Sequence, residues 1–259
     1  MINPGLAAAV HGAGAEVGHV EQTEIVADLF NGAYDAATTV GAAFTGCILG
    51  HGVAEHLDGE MVAFDGEVWR VPSDGVPVRA PDSLGLPFAV AAFGGSPVEL
   101  MVPPGSDLAA ITALIDDELE ALSCHHDEVV VAVRIDGAFS DVVMRSEHRQ
   151  DPPYRALADV LAAEVRFEFA TWQGTLVGFR CPDVADGVVI PGLHLHGLSD
   201  DRASGGHCRS AITGEVRLRL WIDDLTVEVP HSSVAAALAR GDAPDLEVLH
   251  AVESDPSPS

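Results

Sequence analysis

Three histidines in the second half of the chain have a spacing that could do metal chemistry. His194-Leu195-His196 is followed, just after Gly205-Gly206, by His207. The apolar stretch Val188–Leu193 reads as a strand running into the motif. Residues i and i+2 of a strand share a face, about 6.7 Å apart. Two imidazoles so placed can converge on one ion, each nitrogen about 2.0–2.1 Å from zinc. The stretch 197–206 is polar and contains glycines, so it can reverse the chain. His207 then opens the next strand and can supply a third nitrogen. Three imidazoles without a fourth protein ligand leave a coordination position open, the catalytic rather than the structural pattern for zinc. The chain holds 12 His, so a bare His-x-His pair also fits two ordinary strand histidines. The third His, the glycine pair and the preceding apolar run favour the metal. Cys208 faces the other side of such a strand and reads as packing.

Composition narrows the remaining chemistry. The 259 residues allow one large domain or two small ones, and 47% hydrophobic content is that of a globular chain. No apolar run is long enough to span a bilayer, and the first 19 residues have no basic region of the secretory kind. The expectation is a cytoplasmic protein with no membrane partner. A net charge of −27 repels phosphate backbones, so nucleic acid is not an expected partner. All 13 basic residues are Arg. Without Lys there is no Schiff base with a keto substrate, no lysine-anchored pyridoxal phosphate and no P-loop lysine. Carbonyl chemistry must therefore use a metal, an Arg or a carboxylate. Cys47, Cys124, Cys181 and Cys208 form no C-x-x-C pair and read as reduced and mostly buried.

The elements that must position the motif follow from periodicity. Residues 1–20 are rich in Ala and Gly and read as a disordered N-terminal extension. Thr23 is a candidate cap for a helix carrying Ile25, Val26, Leu29 and Phe30, and Val40–Phe44 reads as a short helix. Strands are expected at Cys47–Val53 and Pro87–Phe93. Asp65-Gly66, between apolar runs in Glu60–Val71, predicts a hairpin. Leu108, Ile111, Ile115, Leu119 and Leu122 mark one face of a helix over 107–123. Asp136-Gly137 predicts a second hairpin turn between Val129–Ile135 and Phe139–Arg145, and strand pieces Phe167–Thr171 and Leu176–Phe179 flank Gln173-Gly174. Pro152-Pro153 breaks the chain, and Tyr154–Val165 reads as helical. Alternation at Val216, Leu218, Leu220 and Ile222 marks a half-buried strand continuing through Val227 and Val229. Ser232 or Ser233 caps a last helix, and Leu246–Leu249 is an apolar patch near the end. The fold class is α+β: two lobes of mixed, mainly antiparallel β-sheet covered by a few helices. The expected division is 21–150 for an N-terminal α+β lobe and 151–259 for a β-rich lobe with the zinc site and tail. No G-x-G-x-x-G follows a strand, and hairpins outnumber βαβ alternations, which excludes a doubly wound sheet.

Pro191–His196, Ser199–Arg202 and Gly205–His207 together resemble the zinc motif of the acetolactate decarboxylase family. The resemblance extends to Leu57–Met61 with Phe64–Gly66, to Ile135–Gly137 with Arg145, to Arg149-Gln150 and Pro153-Tyr154, and to Val252-Glu253. It runs from about residue 22 to 253. It implies decarboxylation of 2-acetolactate to acetoin and carbon dioxide with one zinc ion, Zn2+. It also implies His194, His196 and His207 as ligands, Glu60, Arg145 and Glu253 as the other active-site residues, and a homodimer. Val53 stands where members of that family often have Thr, a departure that removes one polar contact near the site. The N-terminal extension and the absence of Lys are further departures, and neither touches the site residues.

The expected chemistry suits these residue types. Decarboxylating a 3-keto acid builds negative charge on the ketone oxygen as an enolate forms. A metal on that oxygen stabilises the charge as a Lewis acid, and the substrate's hydroxyl or carboxylate can share the ion. The enediolate carbon must then be protonated from one side. Arg145 is a candidate for holding the carboxylate and organising that delivery. A guanidinium is a reluctant acid, so Glu60 or a zinc-bound water is the alternative donor, and Glu253 would orient water or substrate. By spacing alone these three residues have ordinary readings too: a turn into an exposed strand at 58–60, a strand-end surface Arg, and an acidic tail. His125-His126 reads as a solvated loop, and His51, His56, His148 and His231 have no assigned role. Two rival functions stand beside this one. A cupin-like metal oxygenase or isomerase is partly mimicked by His194-x-His196 with Asp200. The His-Leu-His…Gly-Gly-His core also resembles a non-enzymatic, metal-containing binding module of certain plant and prokaryotic DNA-associated proteins. Those modules need basic flanks and would cover only half of this chain.

Overall fold

The computed structural model describes residues 16–124, 129–182 and 187–228, with backbone alone for 223–228. The N-terminal strands are β1 (Glu16–Thr23), β2 (Thr38–Thr39), β3 (Leu49–Val53), β4 (Glu60–Phe64), β5 (Glu67–Val71), β6 (Val78–Arg79), β7 (Gly85–Leu86), β8 (Phe88–Ser96) and β9 (Val98–Met101). After them come β10 (Val130–Ser146), β11 (Val165–Cys181), β12 (Gly192–Ser199) and β13 (Gly205–Glu228). The helices are α1 (Val26–Phe30), α2 (Val40–Phe44), α3 (Leu108–Ala121) and α4 (Leu157–Leu161). No helix among the described residues is long and apolar enough to cross a membrane.

Antiparallel pairing runs β6-β5-β4-β3-β8-β1, and β1 then lies parallel to β13. The later strands close a circuit: β10 pairs β11, β11 pairs β12, β12 pairs β13, and β13 returns to β10. The fold is thus α+β and mainly antiparallel, as the strand patterns predict. One core cluster joins both strand groups, with Leu49, Val53, Val62 and Phe88 from one and Val177, Phe179 and Trp221 from the other. A second cluster packs the face of α3 (Ile111, Ile115, Leu119) on β10 and β13. Asp107 starts α3 by accepting a hydrogen bond from the Ala110 amide at 2.8 Å, which satisfies one of the donors a helix start leaves over.

Several expected boundaries move. Residues 16–20, placed in the extension by composition, belong to β1, which is held between β8 and β13. The strand runs on through Thr23, so Thr23 does not cap α1; Ile25 holds that position without a side-chain bond. Residues 188–191 precede β12 rather than forming part of it, and the helix expected over 154–165 is confined to α4. Of the two expected hairpin turns, Asp65-Gly66 is one, with φ of 52° and 74°, the positive pair a tight two-residue hairpin requires. Asp136-Gly137 and Gln173-Gly174 lie inside the unbroken strands β10 and β11, where Gly137 and Gly174 are cross-strand partners. A Cβ on Gly137 would come within 2.2 Å of the Glu215 carbonyl oxygen, and one on Gly174 within 2.5 Å of that of Leu198. These glycines serve the close approach of neighbouring strands, not chain reversal. Asp136 is an anchor within the sheet, accepting from Arg134 Nε (2.9 Å), Arg219 Nη2 (2.6 Å) and Thr175 Oγ1 (3.0 Å). β10 and β11 flank the Pro152-Pro153 stretch and pair from Ser146–Val165 to Val131–Arg180.

Candidate metal centre

His194 and His196 alternate with Leu195 on β12, so both imidazoles face one side while Leu195 enters the core under α3. The hairpin to β13 is closed by Ser199, whose Oγ accepts from the amides of Ala203 and Ser204 at 3.0 Å each and donates to Asp201 at 2.7 Å. That turn sets the register in which His196 stands directly opposite His207. On the far side of β13, His207 stands opposite Arg145 of β10. His196, His207 and Arg145 therefore form one row across three strands, on one face. Glu60 reaches the row from the start of β4, in the other strand group.

The three expected ligands do converge. His194 Nε2 lies 2.9 Å from His196 Nε2 and 3.3 Å from His207 Nδ1. Nitrogens bound to one tetrahedral zinc would be about 3.3 Å apart, given bonds of about 2.0–2.1 Å. His196 Nδ1 lies 2.9 Å from the Met61 carbonyl oxygen. A carbonyl only accepts, so Nδ1 carries the proton and Nε2 presents its lone pair to the cluster. Burial, and then the nearby Arg145 charge, hold His207 well below the usual histidine range. The imidazole is neutral there, the form that ligates a metal.

Glu60 and Arg145 are buried, against the exposed readings their spacing also permits. Glu60 Oε2 is 3.6 Å from His196 Nε2, and Glu60 Oε1 accepts from Arg145 Nη1 at 3.0 Å. Arg145 is 3% exposed. Its guanidinium also pairs with Glu147 and, at 3.3 Å, with Glu164. Three carboxylates meet that guanidinium, and Arg166 Nε also pairs with Glu164 at 2.7 Å. A cation among the imidazole nitrogens would be attracted by the carboxylates beside them, so charge as well as distance fits a metal ion. Sequence reasoning missed Glu147 and Glu164, which carry no motif; their burial becomes visible only once Arg145 is seen to be inside.

A fourth imidazole, His51, was also missed. β3 is buried throughout, and Leu49, His51 and Val53 share its inner face. A Cβ on Gly52 would meet the Phe88 carbonyl oxygen at 2.4 Å, so the glycine lets β8 close on the strand that carries His51. The His51 ring centroid lies 4.6 Å from that of His194 and 4.7 Å from that of His196. Burial, and then the proximity of those two rings, lower its pKa well below the usual value. The available signal was a lone His between two glycines inside an apolar strand. Glu253, His125-His126 and His231, the helix after Ser232 and the patch at 246–249 lie outside the described residues.

The cluster lies on a pocket enclosing about 390 Å³ of non-atom space, part of it open solvent. Its polar side is His51, Glu60, Arg145, Glu147, His194 and His196. The facing wall is apolar and includes Leu29, Val53, Leu57, Leu157 and Ile190. A few convergent polar groups against an apolar wall are what a small, partly apolar substrate needs for orientation.

Comparison with known proteins identifies the family. The model of the alpha-acetolactate decarboxylase family matches residues 20–235. A relative of that name from Methanosarcina mazei is 33% identical over 186 residues, covering 72% of this chain and 63% of its own length. The chain thus spans slightly less than two thirds of that relative. The namesake from Raoultella terrigena is 34% identical over 188 residues, 73% of this chain and 71% of that protein. The crystal structure of alpha-acetolactate decarboxylase from Bacillus subtilis strain 168 superposes with a TM-score of 0.82 at 25% identity, covering 92% of this chain and 100% of the other. With the sequence match and the fold in agreement, the chain belongs to the alpha-acetolactate decarboxylase family.

Proposed function

We propose that this protein decarboxylates 2-acetolactate to acetoin and carbon dioxide, with one zinc ion held by His194, His196 and His207. The observation that carries the reading is the convergence of those imidazoles beside a Glu60–Arg145 pair, on a pocket with an apolar wall, in a chain of this family. A divalent cation bound there would supply Lewis-acid stabilisation of the negative charge that develops on the ketone oxygen.

The chain's own residues do the rest. Leu29, Val53, Leu57 and Leu157 face the substrate's methyl groups and keep water from the reacting carbon. The bond to the carboxylate breaks, its electron pair moves toward the ketone oxygen as an enediolate, and carbon dioxide leaves. Arg145 attracts the carboxylate into place and fixes Glu60 through the 3.0 Å bond. Glu60, spanning Arg145 and the His196 nitrogen, takes up a proton from water and passes it to the enediolate carbon from its own side, which makes acetoin of one hand. A positioned carboxyl suits that step better than a guanidinium, whose pKa is far too high. Glu253 orients substrate or water, a role that rests on the family resemblance.

Incubating the zinc-loaded protein with 2-acetolactate should release acetoin and carbon dioxide in equal amounts without oxygen uptake. Untouched acetolactate would contradict the reading, and oxygen consumption would favour the oxygenase alternative. We further propose a cytoplasmic homodimer, again from the family resemblance; a sedimentation mass of one chain at all micromolar concentrations would contradict the dimer.

A further inference from the structure

β3 gives the pocket three residues, His51, Gly52 and Val53. His51 is the one polar side chain on a strand that is buried from end to end. It is 2% exposed and stands in register with Val62 of β4 and Val90 of β8. Leu49 and Val53, on the same face, are apolar. An apolar residue at 51 would complete that wall without cost, whereas a buried imidazole loses the hydration of both nitrogens. Neither nitrogen has a hydrogen bond to any of the described residues.

Stacking holds the ring in place. Its face lies against His194, with centroids 4.6 Å apart and planes 26° apart, and it meets Phe179 at 5.3 Å and 54°. In nearly parallel rings the in-plane nitrogens do not converge on one point, so His51 stands beside the expected ligands without being one. One of its nitrogens nevertheless lies within 4.8 Å of a nitrogen of His194 and of one of His196. It therefore borders the volume those nitrogens share, on the polar side of the pocket. The stacking contacts account for the ring and leave its nitrogens unexplained, because a Phe at 51 could stack as well.

We propose that His51 contacts the substrate, hydrogen-bonding the hydroxyl of the 2-hydroxy-3-keto acid. The proposal rests on the substrate reading given above. There the carboxylate is drawn to Arg145 and the ketone oxygen takes up charge at the metal, which leaves the tertiary hydroxyl to be recognised. A neutral imidazole presents one donor and one acceptor. A hydroxyl can meet either, so the contact asks for no change of protonation at His51. A hydroxyl that also shares the ion keeps a proton to donate. Specificity follows, because a site holding an unpaired buried polar group rejects a ligand that cannot satisfy it.

Two unreactive acids isolate the contact: 2-hydroxy-2-methylbutanoate, which lacks the ketone, and 2-methylbutanoate, which lacks the hydroxyl as well. Calorimetric titration into the zinc-loaded protein should show the hydroxy acid binding more tightly. In His51→Leu, whose side chain suits the apolar surroundings of β3, that preference should shrink ~10-fold, the scale of one hydrogen bond. Zinc content and affinity for 2-methylbutanoate should not change. His51→Gln, which returns a donor and an acceptor, should recover part of the preference. An unchanged preference in His51→Leu would overturn the proposal, and so would an equal loss of affinity for both acids, which is what a packing role alone produces. A crystal structure of the intact zinc-loaded protein with the hydroxy acid decides the point whether or not a variant folds. The hydroxyl oxygen should lie within ~3.2 Å of a His51 nitrogen, and a hydroxyl out of hydrogen-bond reach would overturn the contact. If neither acid binds the intact protein, the substrate reading itself falls, whereas binding with an unchanged preference removes only His51.

Discussion

The His196 ring and the Met61 carbonyl oxygen are 2.9 Å apart, and that hydrogen bond ties the metal motif to the strand that carries Glu60. The imidazole comes from β12 and the carbonyl from β4, two strands with no ladder between them. One backbone oxygen therefore fixes both the tautomer of a ligand and its distance from the neighbouring carboxylate.

His196→Ala removes this tie and a ligand together. Metal affinity should fall at least ~100-fold, beyond the 10–100-fold cost of losing an outer partner of a ligand. Far-ultraviolet circular dichroism should remain that of a β-rich fold, because His194, His207 and the ladders persist. Elemental analysis after gel filtration checks it: one metal per chain retained in the variant would remove His196 from the ligand set.

Glu60 and Arg145 should separate chemistry from stability. Glu60→Gln keeps the shape and one acceptor for Arg145 but cannot carry the proton as a carboxyl does. Its turnover should fall ~10²–10⁴-fold with metal content retained. Arg145→Met deprives Glu60, Glu147 and Glu164 of the cation they share. Breaking a buried ion pair in this way costs about 3–5 kcal/mol, so the urea midpoint should drop sharply. Equal stability of the two variants would contradict this division of labour.

Asp136 gives the pH dependence a sign. Burial opposes its ionisation, but hydrogen bonds from Arg219 and Arg134 outweigh that and hold its pKa below the ordinary 3.8. The folded state thus binds the proton less readily than the unfolded state. The stabilisation is fully present above pH 3.8 and is lost as pH falls through the lower folded value. The stability difference between the wild type and Asp136→Asn should be constant from neutral pH to about pH 5 and shrink below 3.8. Denaturant midpoints down to pH 2.5 measure it, and a difference that stays flat would contradict the assignment.

Truncation after Ala251 removes Glu253. If that carboxylate serves the site, turnover should fall ~10²-fold or more while zinc binding, which rests on the histidines, stays nearly intact. Removing Pro256–Ser259 alone should leave turnover unchanged. Identical behaviour of the two truncations would strike Glu253 from the site.

The legible part of the site was the part with local spacing. His194, His196 and His207 could be read because a two-residue period and one hairpin bring them together. His51 lies more than 140 residues away and meets them only through packing of two strand groups, so no spacing announces it. The same limit explains the turns. Asp65-Gly66 and Asp136-Gly137 are alike as dipeptides, yet Asp65 sits at a hairpin tip and Asp136 in the middle of a 17-residue strand. What separates them is Glu215 pressing on Gly137 and Arg219 reaching Asp136, both supplied by β13 some eighty residues later. Glu147 and Glu164 were invisible for a related reason. A Glu is ordinarily a surface residue, and the buried guanidinium of Arg145, with Arg166 also on Glu164, makes their positions hospitable.

The central claim is that decarboxylation and metal occupancy are one property of the histidine cluster. Stripping the protein with a chelator and titrating zinc back while recording acetoin formation from 2-acetolactate tests it most directly. Activity should be absent in the stripped protein, rise in proportion to added zinc and level off at about one equivalent per chain. Full acetoin formation by the stripped protein, or zinc uptake to one equivalent with no acetoin formed, would contradict it.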